Sequence, residues 1–157
     1  MTATSVLRTY FVEDNATIRD NLIATLEELV GIAVLGYAET EQQGCVWLTT
    51  GKTSGTQSSP RIHSGWDLAI VDLFLKEGCG LGVLQACRQR APHQKMVVLS
   101  NYATPDIRTR CLQLGADAVF DKSQDIDALI AFCQTLIDAK PLPVCQPQAE
   151  PMPPRME

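Results

Sequence analysis

Short apolar runs alternate along the chain with longer amphipathic stretches. The runs have the length and composition of buried β-strands, while the stretches between them repeat apolar residues at helical spacing. The predicted strands cover residues 7–12, 32–38, 68–71, 96–99 and 118–120. The predicted helices are a first helix with apolar positions Ile18, Leu22, Ile23, Leu26 and Leu29, and then residues 39–48, 81–90, 105–114 and 125–139. Five strand–helix units in succession predict a doubly wound α/β domain, in which helices cover both faces of a parallel sheet.

Polar residues, proline and glycine mark the expected helix ends. Asp14 or Asn15 is expected to cap the first helix, because a short polar side chain can accept hydrogen bonds from its free amides. Pro105 suits the first turn of the fourth helix, and Gly115 suits the position just after that helix.

Two segments lie outside this alternation. Residues 49–65, TTGKTSGTQSSPRIHSG, are rich in Gly, Ser and Thr and are predicted to form a mobile surface loop. Residues 141–157 are rich in proline, which predicts a disordered tail; a ligand for a proline-recognising partner is the less favoured alternative. The predicted folded domain therefore covers residues 1–140.

Length and composition restrict the class of protein. A chain of 157 residues fits one domain with a sizeable core, and its net charge of -5 argues against direct binding of nucleic acid. No apolar stretch is long enough to span a bilayer and the first residues lack the apolar core of a signal peptide, so we expect a cytoplasmic protein with no membrane partner. The six cysteines form no C-x-x-C pair, which predicts free thiols.

Polar side chains follow the predicted strands. Asp72 ends the apolar run at the start of LAIVDLFLKEGCG, Glu13 and Asp14 follow the first strand, Ser100 follows the fourth and Lys122 the fifth. Each has an ordinary explanation, since acidic residues before a helix are often caps and a lysine after a short strand is usually solvent-exposed. The carboxyl ends of parallel strands meet at one edge of a sheet, however, so these side chains are expected to lie together.

Three carboxylates at one edge predict a cation between them. They would repel one another otherwise, and a hard ion with a preference for oxygen ligands, above all Mg²⁺, is the natural partner. Lys122 adds a second positive charge. Such a surplus of positive charge around a carboxylate suits phosphoryl transfer, in which the carboxylate itself can act as the nucleophile and form an acyl phosphate.

The segments FVEDN, LAIVDLFLKEGCG, VVLSN and GADAVFDKS resemble the receiver domain of bacterial two-component response regulators, over residues 9–139. The resemblance implies a flavodoxin-like sheet of strand order 2-1-3-4-5. It also implies that Asp72 accepts a phosphoryl group from a phosphohistidine on a sensor histidine kinase or a phosphotransfer protein. Glu13, Asp14 and Asp72 would then hold Mg²⁺ together with the backbone carbonyl of Phe74.

The resemblance further implies how the phosphorylated state is sensed. Ser100 would hydrogen-bond a phosphoryl oxygen and Lys122 would pair with it. The surface that changes would be residues 105–139, which would contact an unknown downstream protein; a homodimer is left open. Because no DNA-binding domain follows in the sequence, we expect a stand-alone receiver, which takes part in its own phosphorylation and dephosphorylation but is not otherwise an enzyme.

Four positions either differ from the residue that is usual in receiver domains or bear on the lifetime of the phosphorylated state. Lys76 replaces a proline that usually lies four residues after the acceptor, which predicts a less rigid loop, and Val119 replaces the usual switch aromatic. The resemblance also implies that Phe74 and Tyr102 occupy the positions that flank the path of an attacking water. Since neither offers a carboxylate or amide to orient that water, a long-lived phosphorylated state is predicted.

Two other classes of protein are weighed against this one. A pseudo-receiver would bind partners independently of phosphorylation, and the complete acidic set with Ser100 and Lys122 argues against it. A phosphatase-like hydrolase with Asp72 as nucleophile would need a further general acid, commonly an aspartate two residues later, where this chain has Phe74.

Overall fold

Strands and helices alternate strictly through the residues that the computed structural model describes, 6–50 and 65–139. The strands are β1 (Arg8–Val12), β2 (Ala33–Ala38), β3 (Leu68–Asp72), β4 (Lys95–Ser100) and β5 (Ala118–Asp121). The helices are α1 (Ala16–Leu29), α2 (Glu41–Thr50), α3 (Gly80–Ala86), α4 (Pro105–Gln113) and α5 (Ile126–Ala139). All strand pairs are parallel and the sheet order is β2-β1-β3-β4-β5, which confirms the predicted fold class.

Apolar layers cover both faces of the sheet, which explains why β3 is apolar without interruption. Successive residues of a strand point to opposite faces. Ala69 and Val71 pack on the face that α2 and α3 cover, whereas Leu68 and Ile70 pack on the face covered by α1 and α5. A strand buried on both faces cannot show the alternation of a half-exposed one.

Helix α3 is shorter than predicted, ending at Ala86 rather than residue 90. Apolar spacing continues to Cys87, but the guanidinium group of Arg90 folds back and donates to the Cys87 carbonyl at 3.1 Å. The same group donates to the carbonyls of Gln94 and Gly115, at 2.6 Å each. The bond to Cys87 satisfies a carbonyl at the end of the helix, and the bond to Gly115 is a tertiary contact that apolar spacing alone does not reveal.

The segment predicted as a mobile loop, 49–65, begins later than expected because its first two residues belong to α2. Residues 51–64 of that loop and the proline-rich tail, 141–157, lie outside the described residues. Within the described residues, no helix is long and apolar enough to cross a membrane.

The described cysteines carry free thiols, as predicted, and are Cys45, Cys79, Cys87, Cys111 and Cys133. Burial raises the pKa of Cys87 and of Cys133 to about 12. These two thiols therefore stay protonated at neutral pH and contribute as small apolar side chains.

The strand register brings the polar strand ends level with one another. Val12 pairs with Val71, Asp72 with Leu99. Ser100 pairs with Asp121, and the Lys122 amide donates to the Ser100 carbonyl at 3.0 Å. The carboxyl ends of four neighbouring strands thus form one edge, at which the candidate site lies.

Candidate functional site

Asp72 is the last residue of β3, and its carboxylate is almost completely buried, with 6% of the residue exposed. One carboxylate oxygen, Oδ1, accepts a hydrogen bond from the Phe74 amide at 3.3 Å. The other, Oδ2, lies 3.2 Å from the ammonium group of Lys122. Asp72 therefore ends a buried strand but also has the ionic partner that a buried carboxylate requires.

Glu13 follows β1 and is buried as deeply as Asp72. Its Oε1 lies 2.8 Å from Lys122 Nζ, and its Oε2 accepts from the Asn15 amide at 3.1 Å. The Arg19 guanidinium donates to the Glu13 backbone carbonyl at 3.1 Å. Backbone and side chain of Glu13 are thus both held in place.

Lys122 bridges the two buried carboxylates, and only 10% of its side chain is exposed. The ordinary interpretation of a solvent-exposed strand-end lysine is therefore wrong for this residue. Burial by itself disfavours the charged ammonium, but hydrogen bonds and attraction from Glu13 and Asp72 outweigh burial and raise the pKa of Lys122. The site keeps a fixed positive charge at neutral pH.

Asp14 is half-buried beside this pair and lies in the same acidic cluster. Glu13, Asp14 and Asp72 each offer a carboxylate oxygen within 4.8 Å of the others. Asp14 is not the cap of α1: that role falls to Asn15, whose side chain accepts from the Ile18 amide at 3.0 Å. The Asp14 carboxylate instead accepts a hydrogen bond from the backbone amide of Lys76, in the loop after β3.

The electrostatics of the cluster favour one further cation. Burial, followed by the negative charge of Glu13, raises the pKa of Asp72 from 3.8 to about 7, although Lys122 partly opposes this. Three carboxylates against one ammonium leave unbalanced negative charge, and the donor set consists of oxygen atoms. Hard divalent ions such as Mg²⁺ and Ca²⁺ bind donor sets of this kind, so the cluster fits the metal that the sequence predicts.

Ser100 lies at the end of β4 and is completely buried. Its hydroxyl oxygen accepts a hydrogen bond from the Tyr102 amide at 3.0 Å. The rings of Tyr102 and Phe74 are exposed by 66% and 54%, and they meet edge to face with centroids 6.0 Å apart. The loops that follow Asp72 and Ser100 are therefore in contact through these two rings.

Sequence reasoning missed Arg19, which is 5% exposed on α1. Besides its bond to Glu13, the Arg19 guanidinium lies 3.3 Å from Glu39 and 3.7 Å from the centre of the Tyr37 ring. The sequence does contain a signal for this residue. Arg19 lies at helical spacing from Leu22 and Leu26, which places a charged side chain on the buried face of α1.

Comparison with known proteins identifies the family of the chain. The family model of the response regulator receiver domain matches residues 10–134, most of the chain. The chain therefore belongs to the receiver-domain family of response regulators, the class of protein that takes part in two-component signalling by phosphorylation.

Two full-length regulators are similar in sequence. A probable transcriptional regulatory protein of Picosynechococcus is 30% identical over 130 residues, covering 83% of this chain and 49% of the relative. The transcriptional regulatory protein QseB of Haemophilus influenzae is 32% identical over 133 residues, covering 83% of this chain and 52% of the relative. The chain spans about half the length of these two relatives.

Two solved structures share the fold. A CheY-like receiver domain protein from Methanospirillum hungatei has a TM-score of 0.64 at 24% identity, covering 85% of this chain and 95% of that one. A response regulator from Burkholderia pseudomallei, solved with a phosphorylated aspartic acid, a calcium ion and citrate, has a TM-score of 0.63 at 22% identity, covering 84% and 69%.

The raised pKa of Asp72 gives a testable dependence of stability on pH. Between its ordinary value of 3.8 and about 7, the folded protein holds a proton on Asp72 that the unfolded chain has lost. The unfolding free energy of the metal-free protein should therefore receive a contribution from Asp72 that falls as the pH rises through this window. Asp72→Asn removes that contribution.

Urea unfolding in EDTA, at several pH values across that window, measures it. The stability of Asp72→Asn relative to the parent should increase with pH. The matched change Asp138→Asn, at an exposed carboxylate on α5, should follow the parent. Parallel curves for Asp72→Asn and the parent would contradict the assigned shift.

Proposed function

We propose that the chain is a phosphorylatable receiver and that Asp72 accepts the phosphoryl group. The donor is a phosphohistidine on a sensor histidine kinase or a phosphotransfer protein. An Asp72 carboxylate oxygen attacks phosphorus, the phosphorus–nitrogen bond breaks, and its electron pair returns to the imidazole. The observation that supports this proposal most is the buried Asp72 carboxylate, which lies 3.2 Å from Lys122 Nζ and beside the carboxylates of Glu13 and Asp14.

Mg²⁺ is the proposed cofactor, held by the carboxylates of Glu13, Asp14 and Asp72 and by the Phe74 backbone carbonyl. When bound, it neutralises negative charge that would otherwise repel the incoming phosphoryl group. The acidic cluster supports this assignment, and so does the Burkholderia structure with its phosphorylated aspartic acid and calcium ion.

Lys122 and Ser100 are the proposed sensors of the phosphoryl group. The ammonium of Lys122 already lies beside Asp72, so it can pair with a phosphoryl oxygen by a small movement. The Ser100 hydroxyl accepts one hydrogen bond from Tyr102 and keeps its own hydrogen to donate. Once the acyl phosphate forms, Lys122 and Ser100 both move to contact the phosphoryl group, and this movement displaces the loop after Ser100.

The altered surface is proposed to be residues 105–139, through which the chain contacts a downstream protein. Arg108 on α4 supports a route to it that needs no switch aromatic at Val119. Its guanidinium donates to the carbonyl of Ala103 at 2.9 Å, to the carbonyl of Val119 at 2.9 Å and to the Asp125 carboxylate at 3.0 Å. Movement of the loop after Ser100 is thereby linked to β5 and to the start of α5.

Phosphorylation by a small donor tests the function. We expect acetyl phosphate with Mg²⁺ to add one phosphoryl group by intact mass, and peptide mapping to locate it on Asp72. EDTA should abolish the reaction, since the acidic cluster then lacks its cation. Asp72→Asn should remain unmodified, while Asp138→Asn should react as the parent does.

The other outcomes identify the other classes of protein. Equal labelling of Asp72→Asn would refute the assignment of the acceptor. A parent that never reacts, even with phosphorylated donor proteins, would be a pseudo-receiver. Repeated turnover of an added phosphate ester would indicate a hydrolase.

The lifetime of the phosphorylated state tests the role of the two exposed rings. Phe74 and Tyr102 meet beside the site and offer no carboxylate or amide to orient water, so we expect slow hydrolysis. The double variant Phe74→Asn, Tyr102→Ala should lose its phosphoryl group roughly tenfold faster, a barrier lower by about 1.4 kcal/mol. Decay is followed by intact mass after removal of the donor.

A matched control separates shielding from loss of exposed apolar surface. Leu112 is 51% exposed on α4, so Leu112→Ala should decay at the parental rate. Equal or slower decay in the double variant would show that the rings do not shield the phosphate; an outward rotation of Tyr102, or a water held by its hydroxyl, would produce that result.

A further inference from the structure

The loop between β3 and α3, residues 73–79, supplies backbone groups to the acidic cluster. The Phe74 amide donates to Asp72, and the Lys76 amide donates to the Asp14 carboxylate. A proline at position 76 would have no amide hydrogen to donate. The geometry of two carboxylates in the cluster therefore depends on where this loop lies.

Glu41 binds the far side of the same loop. It is the first residue of α2, and its own amide donates to the Glu77 carbonyl at 3.0 Å. Its Oε1 accepts from the Cys79 amide at 2.9 Å, and the preceding residue, Thr40, forms an isolated parallel bridge with Glu77. A carboxylate that accepts from an amide makes a stronger bond than a neutral acceptor does.

Two glycines leave room for the Glu41 side chain. A Cβ at Gly78 would lie 2.3 Å from the Glu41 Cβ, and a Cβ at Gly82 would lie 2.0 Å from Glu41 Oε2. Gly78 also has a φ of +97°, which other residues rarely adopt. The backbone on both sides of Cys79 is thus in direct contact with this one carboxylate.

We propose that Glu41 is a positioning residue for the site at Asp72. It fixes the β3–α3 loop from α2, and the loop in turn fixes the amides of Phe74 and Lys76 against Asp72 and Asp14. Glu41 does this through the loop backbone, by way of Glu77 and Cys79. A contribution of Glu41 to phosphorylation rests on the function proposed for Asp72, whereas its contact with the loop does not.

Backbone amide exchange in the metal-free protein, followed by NMR, tests the positioning directly. Glu41→Ala should speed exchange at Cys79 roughly tenfold, because a charge-assisted hydrogen bond is lost, and should also speed exchange at Lys76. Glu41→Gln should largely restore protection, since its carboxamide oxygen can accept from Cys79. Glu28→Ala removes the same charge at an exposed site on α1 and should leave these amides unchanged.

Gly82→Ala provides a second test that does not remove Glu41. In the parent, the added methyl group displaces the Glu41 carboxylate and should loosen the loop as Glu41→Ala does. In the Glu41→Ala background the methyl group has nothing to displace, so the second substitution should have no further effect on exchange. Additive effects of the two substitutions would overturn the proposed contact.

A Mg²⁺ titration, read from amide shifts, connects the loop to the cluster. Glu41→Ala should weaken Mg²⁺ binding about tenfold, as loss of a group that orients metal ligands does, and Glu41→Gln should bind nearly as the parent does. Unchanged exchange at Lys76 together with unchanged Mg²⁺ affinity in Glu41→Ala would refute the proposal. If Glu41→Ala shows these loop effects but the parent is never phosphorylated, the proposed function alone would be refuted.

Discussion

One largely buried ammonium group between two buried carboxylates is the interaction on which the site depends. Lys122 Nζ lies 2.8 Å from Glu13 and 3.2 Å from Asp72, although Lys122 follows β5, Glu13 follows β1 and Asp72 ends β3. Removal of one partner from a buried ion pair leaves an uncompensated charge and is strongly destabilising. Since Asp14 adds a third carboxylate at the same edge, Lys122 balances only part of the negative charge, and a divalent cation can balance the rest.

The fold could be predicted from the sequence because the lengths of the segments, their apolar spacing and their order all indicate the same architecture. The apolar runs are short, the amphipathic stretches between them have helical spacing, and alternation of the two allows few topologies other than a doubly wound sheet. Helix boundaries were less predictable, because side-chain contacts to the helix ends are not visible in apolar spacing. Helix α3 ends at Ala86, where the Arg90 side chain donates to the Cys87 carbonyl and also to the distant carbonyl of Gly115.

The sequence predicted which residues form the candidate site, but not the contacts that hold them in place. Topology alone places Glu13, Asp72 and Lys122 at one edge, since each lies at the carboxyl end of a parallel strand. Two features depend on contacts between residues far apart in the chain. Lys122 contacts Glu13, which is 109 residue numbers away, and the β3–α3 loop is attached to Glu41 through Cys79, 38 residue numbers away. Only the three-dimensional structure brings such partners together.

The unfolding free energy of Lys122→Met, with and without Mg²⁺, tests the central claim most directly. In EDTA, the variant should be less stable than the parent by about 3 kcal/mol, because Glu13 and Asp72 lose their cation. Mg²⁺ should stabilise the variant more than the parent, since the cluster then has more negative charge to neutralise. Lys95→Met, at the opposite edge of the sheet, should match the parent. A Lys122→Met protein as stable as the parent in EDTA, with an equal gain from Mg²⁺, would contradict the account.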